Sequence, residues 1–138
     1  MDDDQIAAAL GPLAVHGFDD IPHEGQWLSP PYPSDPNGRA IILNDGDFQF
    51  IVVDRATGEV RSCCEDDDAL MASSPRQLTA IATLWGSIDR DAIGPGDDEE
   101  FARVAASFEQ QLKSIDPAAA APNEFWSLYA EELSRGDL

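Results

Sequence analysis

Residues that often carry chemistry or bind anions are scarce in this chain of 138 residues. It contains 2 cysteines and 2 histidines, and only 8 lysines and arginines. The cysteines, Cys63 and Cys64, are neighbours, and adjacent cysteines rarely reach the geometry of a relaxed disulfide. So few sulfur and imidazole ligands argue against a structural zinc site and against a secreted disulfide framework.

Long apolar runs are also missing. No stretch approaches the roughly 20 residues that a membrane helix needs. The first residues, Met1 to Asp4, are acidic, whereas a signal peptide begins with basic residues. A composition of 43% hydrophobic and 25% charged residues is typical of a globular domain, and the length suits one. We therefore expect a soluble cytoplasmic protein.

The charge is strongly acidic, since 27 acidic and 8 basic residues give a net charge of −19. Electrostatic repulsion argues against nucleic acid or an anionic membrane as a partner. A basic protein would instead be attracted, and salt would slow its association. The alternative is that the acidity serves only solubility or adaptation to salt.

No group of residues matches a known catalytic or metal-binding pattern. His16 lies near two aspartates, and His23 lacks the second histidine of a metalloprotease helix. Residues 44–47 lack the alternating oxygens and the late glutamate of a calcium loop. Acidic neighbours at 65–68 should raise the pKa of the adjoining thiols and suppress the thiolate. We predict no catalytic residues, no metal, no cofactor and no small-molecule substrate.

Residues 38–64 alternate between apolar runs and turn-forming clusters, which predicts an antiparallel meander of about three strands. In the turn at 54–59, the Asp54 side chain can accept hydrogen bonds from backbone N–H groups that follow it, and Gly58 can adopt a left-handed conformation. Residues 48–53 are apolar on both faces, which is typical of a central strand. Phe48, Phe50 and Val52 would share one face of this strand, and Ile51 and Val53 the other.

The acidic residues 65–68 are expected to end the sheet, because four adjacent carboxylates have no place in a core. A helix should follow, with Ser74 as its N-cap, Pro75 in its first position and Gln77 completing a capping box. Its apolar stripe would lie on the sheet. The stripe consists of Leu78, Ile81, Ala82, Trp85 and Ile88.

Two more helices are predicted near the C-terminus. One begins at the acidic residues 97–100 and ends at Asp116–Pro117, and the last ends at Gly136. Residues 1–37 should form a helix, broken early at Gly11–Pro12, and an irregular proline-rich segment. The chain is thus predicted to be a single α+β domain, with the meander in residues 38–64 and three helices in residues 74–136.

Three segments resemble the SUKH superfamily, and most closely the SUKH-4 type of bacterial immunity protein. They are the hairpin at residues 51–60, the Ala72-Ser73-Ser74 start of the helix at 78–85, and the Asp-Pro-Ala element at 115–119 before Phe125-Trp126 and an acidic helix with Glu131 and Glu132. Ala72 stands where the family pattern has asparagine. The resemblance covers about residues 38–136.

This resemblance implies a meander sheet flanked by helices and a role in binding and neutralising a toxin domain encoded nearby, often a nuclease or a deaminase. We expect the acidic surface to cover the active site of a basic toxin. Two alternatives remain: an intracellular scaffold or regulatory module, and an enzyme that uses Cys63, Cys64 or His16. The candidate protein-binding residues are Asp45, Asp47, Glu65, Asp66, Asp67 and Asp68.

Overall fold

Strands in the first half of the chain and helices in the second make up most of the fold. The computed structural model describes residues 1–15, 26–45, 49–64, 67–94 and 96–136. Among these, no helix is long and apolar enough to cross a membrane. In chain order the elements are α1 (Asp3–Val15), β1 (Gln26–Trp27), β2 (Ala40–Asp45), β3 (Gln49–Val53), β4 (Val60–Cys64), β5 (Asp67–Ala72), α2 (Pro75–Gly86), a short 3-10 turn (Arg90–Ala92), α3 (Asp98–Ile115) and α4 (Phe125–Ser134).

The strands form one antiparallel sheet in the order β1-β2-β3-β4-β5. This confirms the predicted α+β class, the meander and the central place of β3. Ile51, Val52 and Val53 are all buried, although successive residues of a strand point to opposite faces. The sheet is therefore covered on both faces at its middle. Phe48, which the sequence placed on the same strand, lies outside the described residues.

The prediction that the acidic run ends the sheet is wrong. A fifth strand, β5, begins at Asp67 and pairs antiparallel with β4 over its length. The carboxylates are tolerated because they occupy the start of the strand, and Asp68 meets two arginines there. The apolar second half, Leu70 to Ala72, is what the strand buries.

Helix α1 also departs from expectation, since it continues through Gly11–Pro12 to Val15. Ile6 and Leu10 are buried against the core, and the hydroxyl of Thr79 in α2 donates a hydrogen bond to the carbonyl of Ala9 at 2.9 Å. This packing against α2 holds the helix together where local propensity would end it.

The helices cover one face of the sheet, which we call the inner face. Its core joins Ile51 and Val53 to the apolar stripes of the helices. Bulges in β2 and β5 insert Ile42 and Met71 into the pairing, so that two successive residues of each strand are buried in this core. The other face, which we call the outer face, carries strand residues that are not part of this core. They are Ile41, Phe50, Val52, Arg61, Cys63, Asp68 and Leu70.

The predicted starts of α2 and α3 and the predicted end of α3 are confirmed, whereas α2 ends at Gly86, before Ile88, and α4 ends at Ser134. Ser74 accepts a hydrogen bond from the backbone N–H of Gln77 at 3.2 Å, and Asp97 caps α3 in the same way. Asp116 follows the last residue of α3. In the turn before β4, Asp54 accepts from the N–H groups of residues 56 and 57, and Gly58 has a φ of 83°.

Two residues at the start of α4 bind the free edge of β5: Glu124, the N-cap of α4, and Trp126 in its first turn. The carboxylate of Glu124 accepts a hydrogen bond from the N–H of Leu70, and the indole N–H of Trp126 donates to the carbonyl of Met71 at 2.9 Å. Just beyond the strand, the buried carboxylate of Asp116 accepts from the N–H and the hydroxyl of Ser73 at 2.6 and 2.8 Å. Side chains therefore satisfy an edge that would otherwise be open to pairing.

Replacing Asp116 with alanine should lower the free energy of unfolding by about 1–3 kcal/mol, because the two half-buried donors of Ser73 would lose their partner and a buried side chain would be removed. Urea denaturation followed by circular dichroism measures this change. The matched control is Glu109→Ala, which removes an equal charge from an exposed position of α3. Equal stability of the two variants would contradict the structural role of Asp116.

Candidate protein-binding surface

One end of the sheet carries a row of residues that includes two of the candidate binding residues. The pairing sets Asp45 opposite Gln49, Gln49 opposite Cys64, and Cys64 opposite Asp67. These four residues form the last row across β2 to β5. With strands about 4.8 Å apart, the backbones of Asp45 and Asp67 are separated by about 14 Å. We call this row, with residues 46–48 and 65–66 that join its strands in the sequence, the acidic end.

The structure thus unites candidates that the sequence presented as separate clusters. Asp45 ends β2, and Asp67 and Asp68 begin β5. The remaining three candidates, Asp47, Glu65 and Asp66, lie outside the described residues, as do His16 and His23. The sequence could not reveal this grouping because it depends on β5, which was not predicted.

Two arginines already hold the carboxylate of Asp68. It lies 3.0 Å from Arg39 and 3.5 Å from Arg61, and Arg61 also reaches Glu59 at 3.3 Å. All of these side chains lie on or above the outer face. Asp68 therefore offers a partner less uncompensated charge than an unpaired carboxylate would.

Arg39 is the centre of this network. Its Nε lies 2.7 Å from Asp35, and its other nitrogens reach Asp68 and the Cys63 sulfur, the latter at 3.6 Å. Burial acts to lower the pKa of Arg39, but the hydrogen bonds to Asp35 and Asp68 outweigh it and raise that pKa. The guanidinium thus stays charged and spans the outer face from the start of β2 to β5.

Asp35 fixes the loop that carries Arg39. Its Oδ1 accepts from the backbone N–H groups of Asn37 and Arg39 at 2.9 and 2.8 Å. Burial would raise the pKa of Asp35, but these bonds and the Arg39 side chain outweigh it and lower that pKa.

A second arginine secures the base of the same loop. Arg55 bonds Asp3 at 2.9 Å and the carbonyls of Tyr32 and Gly38 at 3.1 and 2.8 Å. The proline-rich segment is thereby tied to α1 and to the turn before β4.

The two thiols lie on opposite faces of β4, as neighbours in a strand must. Cys63 is half-buried on the outer face, and Cys64 is exposed. Burial and then the charge of Asp68 raise the pKa of Cys63, in the direction the sequence predicted. A thiolate nucleophile is thus disfavoured at Cys63. Within the described residues, no cluster of histidine, cysteine, aspartate or glutamate could hold a metal ion.

Several of the few cations are engaged by carboxylates of the chain itself. Ion pairs join Arg55 to Asp3, Arg103 to Glu100 and Arg135 to Glu131, in addition to those of Arg39 and Arg61. Sequence reasoning missed Arg39 and Arg61 as parts of the surface. An arginine between apolar strand residues was the available signal for Arg61, but its partners follow only from strand register.

A model of the SUKH-4 immunity protein family matches residues 15–132. The match includes all five strands, α2, α3 and most of α4. It also includes both the acidic end and the contact between Ser73 and Asp116, which joins two of the segments that carried the resemblance. No curated protein and no solved structure matches the chain.

Asp35→Asn should remove a pH-dependent part of the stability. A carboxyl with a lowered folded pKa stabilises the fold above its unfolded pKa, ordinarily 3.8, and loses that contribution as the pH falls through the folded value. The excess stability of the wild type over the variant should therefore be full at neutral pH and shrink below pH 3.8. Urea denaturation across this range measures it, with Glu109→Gln as the control of equal charge. A difference that did not change with pH would contradict the assignment.

Proposed function

The chain belongs to the SUKH-4 immunity protein family, and from that membership we propose how it protects its cell. It binds the toxin domain encoded beside its own gene and covers the active site of that domain. The toxin is a nuclease or another enzyme that modifies nucleic acid. The observation that supports this proposal is the strand pairing that brings Asp45 and Asp67 into one row at the end of the sheet.

The charge supports a partner that handles nucleic acid. An enzyme that binds a phosphate backbone needs a cationic cleft. A protein of net charge −19 is attracted to such a cleft, and several of its own cations are already paired internally. Long-range electrostatic attraction raises the rate at which the two proteins meet, which favours capture of the toxin before it reaches its substrate.

The binding surface in this proposal is the acidic end. Its candidates are the strand-end residues Asp45 and Asp67 and the acidic residues that join the strands in the sequence, so we expect several carboxylates to bind arginines and lysines of one partner together. Five of them, Asp45, Asp47, Glu65, Asp66 and Asp67, would contact the toxin. Asp68 would organise the surface, because Arg39 and Arg61 hold it. The protein acts by stoichiometric occlusion, with no catalytic step.

Co-expression tests the function directly. The toxin domain from the neighbouring gene is induced in a host with and without this protein, and growth is recorded. We expect rescue that requires equimolar protein. Toxicity that persists at equimolar protein would contradict immunity against that toxin, and a scaffold or regulatory role would then become the better account.

Neutralising the acidic end should slow association without unfolding the domain. The variant Asp45→Asn/Asp66→Asn/Asp67→Asn leaves Asp68 and its arginines in place. At low salt we expect its association rate with the toxin to fall on the order of tenfold, because electrostatic steering is lost. Surface plasmon resonance at two salt concentrations measures the rate, and thermal unfolding checks the fold.

The control for this experiment carries the same change in net charge on the helical side. It is Asp91→Asn/Glu99→Gln/Glu109→Gln, at three exposed positions. We expect its association rate to change by no more than about twofold. Equal slowing of both variants would mean that net charge alone matters, and an unchanged rate for the first would exclude the acidic end.

A further inference from the structure

The outer face of the sheet holds a cavity of about 220 Å³ beside the acidic end. Its floor is apolar and is made by Ile41 of β2 with Phe50 and Val52 of β3. Cys63 and the loop at residues 35–39 also line it, and the Arg39 side chain of that loop lies 3.6 Å from the Cys63 sulfur.

The size of the cavity limits what it can take. Sites for drug-sized ligands and cofactors usually enclose about 300–1,000 Å³. A cavity of 220 Å³ is better matched to one large side chain. The raised pKa of Cys63 leaves the cavity without an activated nucleophile. Its features are therefore those of a docking pocket.

The wall of the cavity is fixed before any partner arrives. Asp35 holds the loop through two backbone N–H groups, and Arg39 is held by Asp35 at 2.7 Å and by Asp68 at 3.0 Å. The Arg39 side chain is only 18% exposed. A pocket whose shape is set in the free protein avoids the entropy cost of ordering its wall during binding.

The cavity lies one row of residues away from the acidic end. Asn44, Phe50, Cys63 and Asp68 face one another in the row next to the last row of the sheet. Phe50 thus follows directly after Gln49 of the acidic end. A partner that covers this end of the sheet can therefore contact both the acidic end and the cavity.

We propose that this cavity receives one aromatic side chain of the toxin, flanked on the toxin by arginine or lysine. The ring would lie against Phe50 and the Arg39 guanidinium, which offer an aromatic and a cationic stacking partner. The flanking basic residues would meet the acidic end. The inference rests on the proposed function. It adds one short-range contact to the long-range electrostatic attraction. At many protein interfaces a few buried residues, often aromatic, carry most of the affinity.

A larger cavity, of about 690 Å³, lies between α1 and α2. It borders Ser74 and Pro75, which follow the end of β5 farthest from the acidic end. It is therefore not continuous with the acidic end, and nothing in the described residues indicates an occupant for it.

The test measures the affinity of an inactivated form of the neighbouring toxin domain for two pocket variants. Ile41→Ala/Phe50→Ala removes part of the apolar floor, and Cys63→Met places a longer apolar side chain in the cavity. We expect the dissociation constant of each to rise at least about tenfold, mainly through faster dissociation. Leu128→Ala is the control, since it removes an apolar side chain that is 47% exposed on α4, and its dissociation constant should not change.

The outcomes separate this inference from the proposed function. If the wild type binds the toxin and both pocket variants bind equally well, the anchor is excluded while the immunity function stands. If the wild type does not bind, both proposals fail for that toxin. The Cys63→Met variant leaves the floor intact, so a melting temperature near that of the wild type would show that its weaker binding arises from the filled cavity and not from unfolding.

Discussion

The backbone of the edge strand β5 must find hydrogen-bond partners, and much of the fold depends on how it does so. Its partners come from the start of α4, through Glu124 and Trp126, while Asp116 binds Ser73 just after the strand. These contacts join the end of the sheet to the last two helices. They also fix where α2 begins, because Ser74, the N-cap of α2, directly follows Ser73.

Features set by local chemistry could be predicted from the sequence. The Ser74 cap, the Gly58 turn and the stripe of α3 depend on residues a few positions apart, and all three are present. Strand β5 was missed because its acidic start resembles a loop, and only pairing with β4 makes it a strand. The bulges at Ile42 and Met71 likewise interrupt the two-residue period that sequence reasoning relies on.

The candidate binding surface also combines features that the sequence predicts with features that depend on strand pairing. Acidic residues could be recognised as a class from composition, but their grouping depends on strand register. The part played by Arg39 was not predictable, because its partners Asp68 and Cys63 are far along the chain. Two of the few arginines, Arg39 and Arg61, nevertheless organise the outer face by binding Asp68.

The closed edge of β5 also bears on how this protein can change over generations. Since Glu124 and Trp126 bind the backbone of Leu70 and Met71 on that edge, they oppose the addition of a partner strand there, which would rely on backbone groups common to every sequence. Side chains on the outer face and at the strand ends do not share this constraint. Substitutions at such positions alter a surface while leaving the buried contacts of Asp116 and Trp126 intact, so the surface can diversify while the fold is kept.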